Sequence, residues 1–260
     1  MKLNCFSISA LLAVLAASLS AQSPKTLTSV STFHVAQSKV PTFLNRCKAL
    51  NPTLDKLMEA GTVLSYGVDV DMLHVPGSNN VAIWVTVPDF AALGTLEKAI
   101  EEFGKANTAT MGDIYSMSDP ATHHDFVVRS NEARLGKVPA NAMPLNDFDV
   151  ITVKPGQMQK FMELFRKYDK PVLDALVDSG VIYGYSVDTE AVHTMKPGTV
   201  WTIVIMPDLG AKDKVSAAYQ AASKKLSEAE RTKLEQDSEA LVEPGSHRDS
   251  IAVSMIFKQK

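Results

Sequence analysis

The chain has 260 residues, 45% of them hydrophobic, with 26 basic against 29 acidic side chains and a formal net charge of −3. That apolar content is enough to bury a core and excludes a disorder-like composition. The mild acidic balance lacks the basic excess of a nucleic-acid or anionic-membrane binder, so neither partner is expected.

The N-terminus, MKLNCFSISALLAVLAASLSAQSP, places Lys2 before an apolar run from Phe6 to Leu19 and then small residues. This is the layout of a signal peptide over residues 1–21, with cleavage near Ser20 or Ala21. The run is short for a membrane span of about 20 residues, and no later segment is apolar for long enough. The expectation is therefore an exported bacterial protein, periplasmic or extracellular, with no membrane span after processing. Cys47 would be the one cysteine left, so no disulfide forms within the mature chain. It falls on an apolar helical stripe with Phe43 and Leu50, where a small buried hydrophobe fits.

Pro52 interrupts or restarts that helix, and Gly61 supplies its C-terminal stop. Residues 64–72 then alternate, with Leu64, Tyr66, Val68, Val70 and Met72 on one face and Ser65, Gly67, Asp69 and Asp71 on the other. Such a period of two predicts a strand with one side buried. VAIWVTV (81–87) reads as a central strand, Pro88-Asp89 opens a helix from Phe90 to Ala106, and DFVVRS (125–130) is the last strand. A linker without apolar period is expected at 131–146.

The same order then recurs. At an offset of 119, residues 51–89 match 170–208 with 13 identities in 39 ungapped positions. Tyr66, Val68, Asp69 and His74 recur as Tyr185, Val187, Asp188 and His193. Upstream of the prolines the offset is 118, and Phe43, Cys47 and Leu50 meet Phe161, Phe165 and Tyr168. A helix follows from Gly210 to about Lys225, and Ser227 with Glu230 forms a capping-box start for an extra acidic helix. DSIAVSMIF (249–257) closes the copy. The chain is thus an internal duplication of βαββαβ units, at 27–130 and 147–258.

A helix ending in Leu-x-x-x-Gly, a Tyr-bearing strand, an apolar strand and a Pro-Asp helix start resemble the dimeric α/β-barrel superfamily, which includes antibiotic-biosynthesis-monooxygenase-like domains. The resemblance covers about 30–130 and 147–258. It implies an α+β fold: two ferredoxin-like repeats closing an eight-stranded barrel as a pseudo-dimer within one chain. The superfamily holds monooxygenases, isomerases, haem proteins and domains without known activity, so fold alone does not select a function. No histidine falls in a predicted helix interior, which argues against a haem ligand.

If the units pack as the resemblance implies, the second strand of one borders the fourth strand of the other. His74 would then approach His247 and Asp249, and His193 would approach His123 and Asp125. Facing His and Asp side chains can bind a divalent metal such as Zn²⁺ or Fe²⁺, or act as an acid–base pair. Polar residues also gather at strand ends simply because turns are solvated. Tyr66, Tyr183 and Tyr185 are candidates to line a ligand cavity, although a strand tyrosine is more often core. The functional expectation is a small-molecule-binding protein for an apolar or aromatic ligand. The alternative is a non-catalytic assembly module using free strand edges or the acidic helix 227–242. A closed barrel filled with side chains would argue against a ligand inside it.

Overall fold

The computed structural model describes residues 25–260 except His74, Pro76 and His193, so the expected leader lies outside the described residues. The first repeat runs β1 (Leu27–Phe33), α1 (Val40–Cys47), α2 (Asn51–Glu59), β2 (Ser65–Asp71), β3 (Val81–Val87), α3 (Phe90–Ala106), α4 (Thr108–Met117) and β4 (His124–Leu135). The second runs β5 (Leu145–Thr152), α5 (Met158–Leu164), α6 (Lys170–Asp178), β6 (Gly184–Glu190), β7 (Thr199–Met206), α7 (Gly210–Ser223), α8 (Glu228–Leu241) and β8 (Arg248–Gln259). None of the described helices is long and apolar enough to cross a membrane.

Pro52 and Pro171 stand in the first turn of a restarted helix, where the missing N–H costs nothing. The two restarts differ. In the first repeat a 3₁₀ turn, Lys48–Leu50, joins α1 to α2; in the second a π-helical turn, Phe165–Asp169, joins α5 to α6. A π turn accommodates one inserted residue, which accounts for the change of offset from 118 to 119. The residue without a counterpart is Asp169.

The strands close into an antiparallel barrel in the order β1-β3-β2-β8-β5-β7-β6-β4. Each repeat contributes a four-stranded sheet, and the seams between repeats are β2 with β8 and β4 with β6. Each seam carries a bulge, at Val68/Asp69 and at Ser130/Glu132. Every strand has two neighbours, so free strand edges, one of the two surfaces named for an assembly role, are absent among the described residues. Closure itself removes them.

Strand parity separates two environments. Outward residues pack under helices in two cores, one per repeat, around Phe43, Leu54, Tyr66 and Val68 and around Phe165, Leu173, Tyr185 and Val187. Inward residues include two aromatic pairs. Trp84 meets Phe257 edge-on at 5.8 Å, and Phe126 stacks on Trp201 at 5.7 Å. A Cβ on Gly67 would lie 2.5 Å from the Trp84 ring and 2.6 Å from the Ile256 carbonyl, so only glycine fits there. Two open grooves lie on α7 and α8, one lined by Tyr219, Ser223 and Arg231 and the other by Ser227, Thr232 and Gln236.

Two stretches differ from their expected form. β4 continues five residues into the segment read as linker, because its polar half pairs with β6 from Glu132↔Val187 to Leu135↔Gly184. α4 occupies what reads as a plain connection. Ile114 is its one buried residue, so its sequence carries little apolar period.

Candidate functional site at the outer end of the second sheet

The duplicated tyrosines resolve first. Tyr66 and Tyr185 are each 2% exposed and lie on the helix side of their strands. Their hydroxyls donate to Asp55 Oδ1 on α2 and Asp174 Oδ1 on α6, both at 2.7 Å. Each aspartate also binds a cation from the opposite repeat: Lys258 of β8 at 2.7 Å from Asp55, and Arg134 of β4 at 3.5 Å from Asp174. Burial opposes the ionised form of both carboxyls, but their cationic and tyrosine partners outweigh it and hold both below the usual range. These tyrosines are thus seam fasteners, with hydroxyls committed to aspartates on the helix side of their strands. Tyr183 sits just before β6, its N–H on the Ile205 carbonyl and its carbonyl on the Gly136 N–H.

Asp69 and Asp188 point the other way, into the barrel, and are 3% and 4% exposed. Asp69 accepts from Ser254 Oγ at 2.6 Å and Asn146 Nδ2 at 2.8 Å, while the Trp84 N–H lies nearby without completing a hydrogen bond. Burial raises its carboxyl above the usual range against these donors.

The histidine expectations divide. His74 and His193 lie outside the described residues. His123 and His247 each meet the aspartate two residues on, at 3.0 Å from Asp125 and 3.1 Å from Asp249. The surroundings of the two pairs differ. His123 Nδ1 lies 3.2 Å from the Thr32 carbonyl, and its ring stacks on Phe33 at 4.6 Å. Ser31 Oγ donates to Asp125 Oδ1 at 2.5 Å and so completes a satisfied structural cluster.

In the second repeat the position of Ser31 belongs to Asp149, paired in register with Asp249 as Ser31 is with Asp125. His247 Nε2 is 3.1 Å from both Asp149 Oδ1 and Asp249 Oδ1, and the three side chains are more than half exposed. One donor atom from each lies within 4.8 Å of the others. Asp149 is raised above the usual carboxylate range, by partial burial first and by repulsion from Asp249 and Asp147 against the pull of His247. Asp169 stands behind it. Burial, with a smaller push from Asp149, raises Asp169 to about 6 against the hydrogen bond from Tyr219 of α7. Lys212 neutralises Asp147 at 2.5 Å.

Asp149, which stands where the first repeat has Ser31, thus joins His247 and Asp249 at one sheet end, and its charge reaches the inserted Asp169. The sequence reading missed Asp149. A ferredoxin-like unit sets its first strand beside its fourth, and that pairing is the signal that would have found it.

The chain is similar in structure to a protein described as a candidate monooxygenase from Fusobacterium nucleatum subsp. nucleatum, with a TM-score of 0.65 and 13% identity over 91% of this chain and 95% of that one. A second such protein, from Lactobacillus acidophilus, matches with a TM-score of 0.60 and 12% identity over 90% and 96%. Coverage on this scale includes both repeats in each case. No family model matches the chain, and no curated protein sequence matches it. The fold is the dimeric α/β barrel, fused in tandem.

Proposed function

We propose that this fused α/β barrel is a small-ligand-binding protein whose site lies on the outer end of the second sheet, anchored by a divalent cation on Asp149, His247 and Asp249. The observation that carries the reading is the asymmetry of the duplication. Where the first repeat has Ser31 beside Asp125, the second sets Asp149 beside Asp249 and brings both to one histidine. Like charges held together raise one another's pKa and favour a cation that relieves them.

Atoms sharing one ion at about 2.0–2.2 Å can be no more than about 4.4 Å apart, so a donor set within 4.8 Å needs only slight contraction. One imidazole with two carboxylates suits Zn²⁺, Fe²⁺ or Mn²⁺, and three protein ligands leave positions open for an exogenous molecule. The aromatic pairs packed inside the barrel support placing that molecule outside it, in contrast to the cavity expected from the tyrosine-bearing strands. The acidic helix α8 remains the surface on which an assembly role would rest. We also propose export, from the leader-like N-terminus.

Metal analysis of the protein purified without chelator tests the reading, with about one equivalent expected in the wild type and none in Asp149→Asn. A metal-free protein that takes up none on dialysis against Zn²⁺ or Mn²⁺ would overturn it. N-terminal sequencing of the secreted fraction, with a start near residue 21 or 22, tests export.

A further inference from the structure

The two inward aspartates occupy equivalent places in the duplication but are not equally supplied. Asp69 has a donor on each oxygen. Asp188 accepts from Ser186 Oγ at 2.9 Å on Oδ2, with Ser130 beside it, while Oδ1 is buried with no partner.

One substitution removes a donor. Asn146, which serves Asp69, corresponds to Thr28, as Ser254 corresponds to Ser130. The backbone agrees: Ser254 N–H donates to the Pro144 carbonyl and Ser130 N–H to that of Thr26. Thr28 is shorter than asparagine, and its hydroxyl is engaged with Thr86 Oγ1 at 3.0 Å.

We propose that Asp188 is a protonation-controlled latch on the β4–β6 seam: neutral, it lets the barrel close there; ionised, it loosens that seam. A buried carboxylate without a donor is far costlier than the neutral acid.

Among the described residues, only the hydroxyls of Ser130 and Ser186 favour the ionised form of Asp188. β4 presents Ser130, and β7 presents Trp201 directly opposite. On β6 itself, Glu190 is occupied by the Thr194 and Met195 N–H groups. Arg129 lies over Phe90, and Glu132 binds Arg166 at 2.5 Å. Across the barrel β2 brings Asp69, with its own donors. Burial raises the Asp188 carboxyl to about 6, against the pull of Ser130 and Ser186.

Because the folded value lies above the unfolded one, the contribution to stability is complete below the unfolded value and is lost as pH rises through about 6. The gap from an ordinary carboxylate value of about 3.9 corresponds to up to about a hundredfold in the folding constant.

The test is hydrogen exchange and thermal unfolding of the full chain between pH 4.5 and 8, for wild type, Asp188→Asn and Thr28→Asn. In the wild type, β4–β6 amides should lose protection relative to β2–β8 amides as pH passes 6. The amide of Asp188→Asn needs no ionisation and should abolish that difference. Thr28→Asn, which supplies the missing donor to the ionised form, should lower the Asp188 titration and shrink the loss. Should Asp188→Asn not fold, Thr28→Asn alone decides. Equal pH responses of the two seams, or an unchanged response in Thr28→Asn, would overturn the proposal.

Discussion

Replacing Tyr66 by phenylalanine tests whether the recurring tyrosine is a fastener or a ligand contact. The substitution removes one hydroxyl and leaves a ring that is 2% exposed packed as before. What is lost is the 2.7 Å bond to Asp55 Oδ1, while Lys258 still contacts both oxygens at 2.9 and 2.7 Å. A hydrogen bond to a charged group contributes about 1.5–3 kcal/mol. Asp55 is 38% exposed and keeps its lysine, so the low end applies, about 1.5 kcal/mol. For a domain of this size that lowers Tm by roughly 3–6 °C.

Tyr185→Phe should cost about the same, since Asp174 keeps Lys170 at 2.6 Å. The two networks share no partner, so the double variant should lose about 3 kcal/mol. Urea unfolding of the four proteins at pH 7 provides the measurement, with cation binding followed in parallel. Loss of cation or ligand binding at unchanged stability would refute the fastener reading and restore these tyrosines as site residues.

Gly67→Ala should destabilise by about 1–3 kcal/mol, because its Cβ must displace the Trp84 ring or the β8 backbone; thermal unfolding checks it. Leu173→Ala, at a site with no exposed surface, should cost about 2–5 kcal/mol in the same assay. Asp149→Asn should lower the Asp169 titration from about 6, since it removes a repelling carboxylate; carboxyl ¹³C shifts against pH report this directly.

The repeat, its element order and the opposed faces of Tyr66 and Asp69 are legible in the sequence because duplication and period-two alternation are local signals. The pairing of β2 with β8 and of β4 with β6 follows from the resemblance to two-unit barrels. What is not legible depends on contacts between elements. The β4 extension is polar and becomes a strand only because β6 lies beside it. α4 buries one residue and so leaves almost no pattern. The barrel interior is closed by Trp84, Trp201, Phe126 and Phe257, whose inward positions are readable but whose mutual packing is not. His123 and His247 look alike in sequence, and only the residue on the neighbouring strand, Ser31 or Asp149, separates a satisfied cluster from a charged one.

The most direct test of the cation site is a calorimetric titration of the metal-stripped full chain with Mn²⁺ and with Zn²⁺ at pH 7.5. The comparison is among wild type, Asp149→Asn and His123→Gln. One site per chain is expected, lost in Asp149→Asn and kept in His123→Gln. Two equivalent sites, or binding that survives Asp149→Asn unchanged, would contradict it.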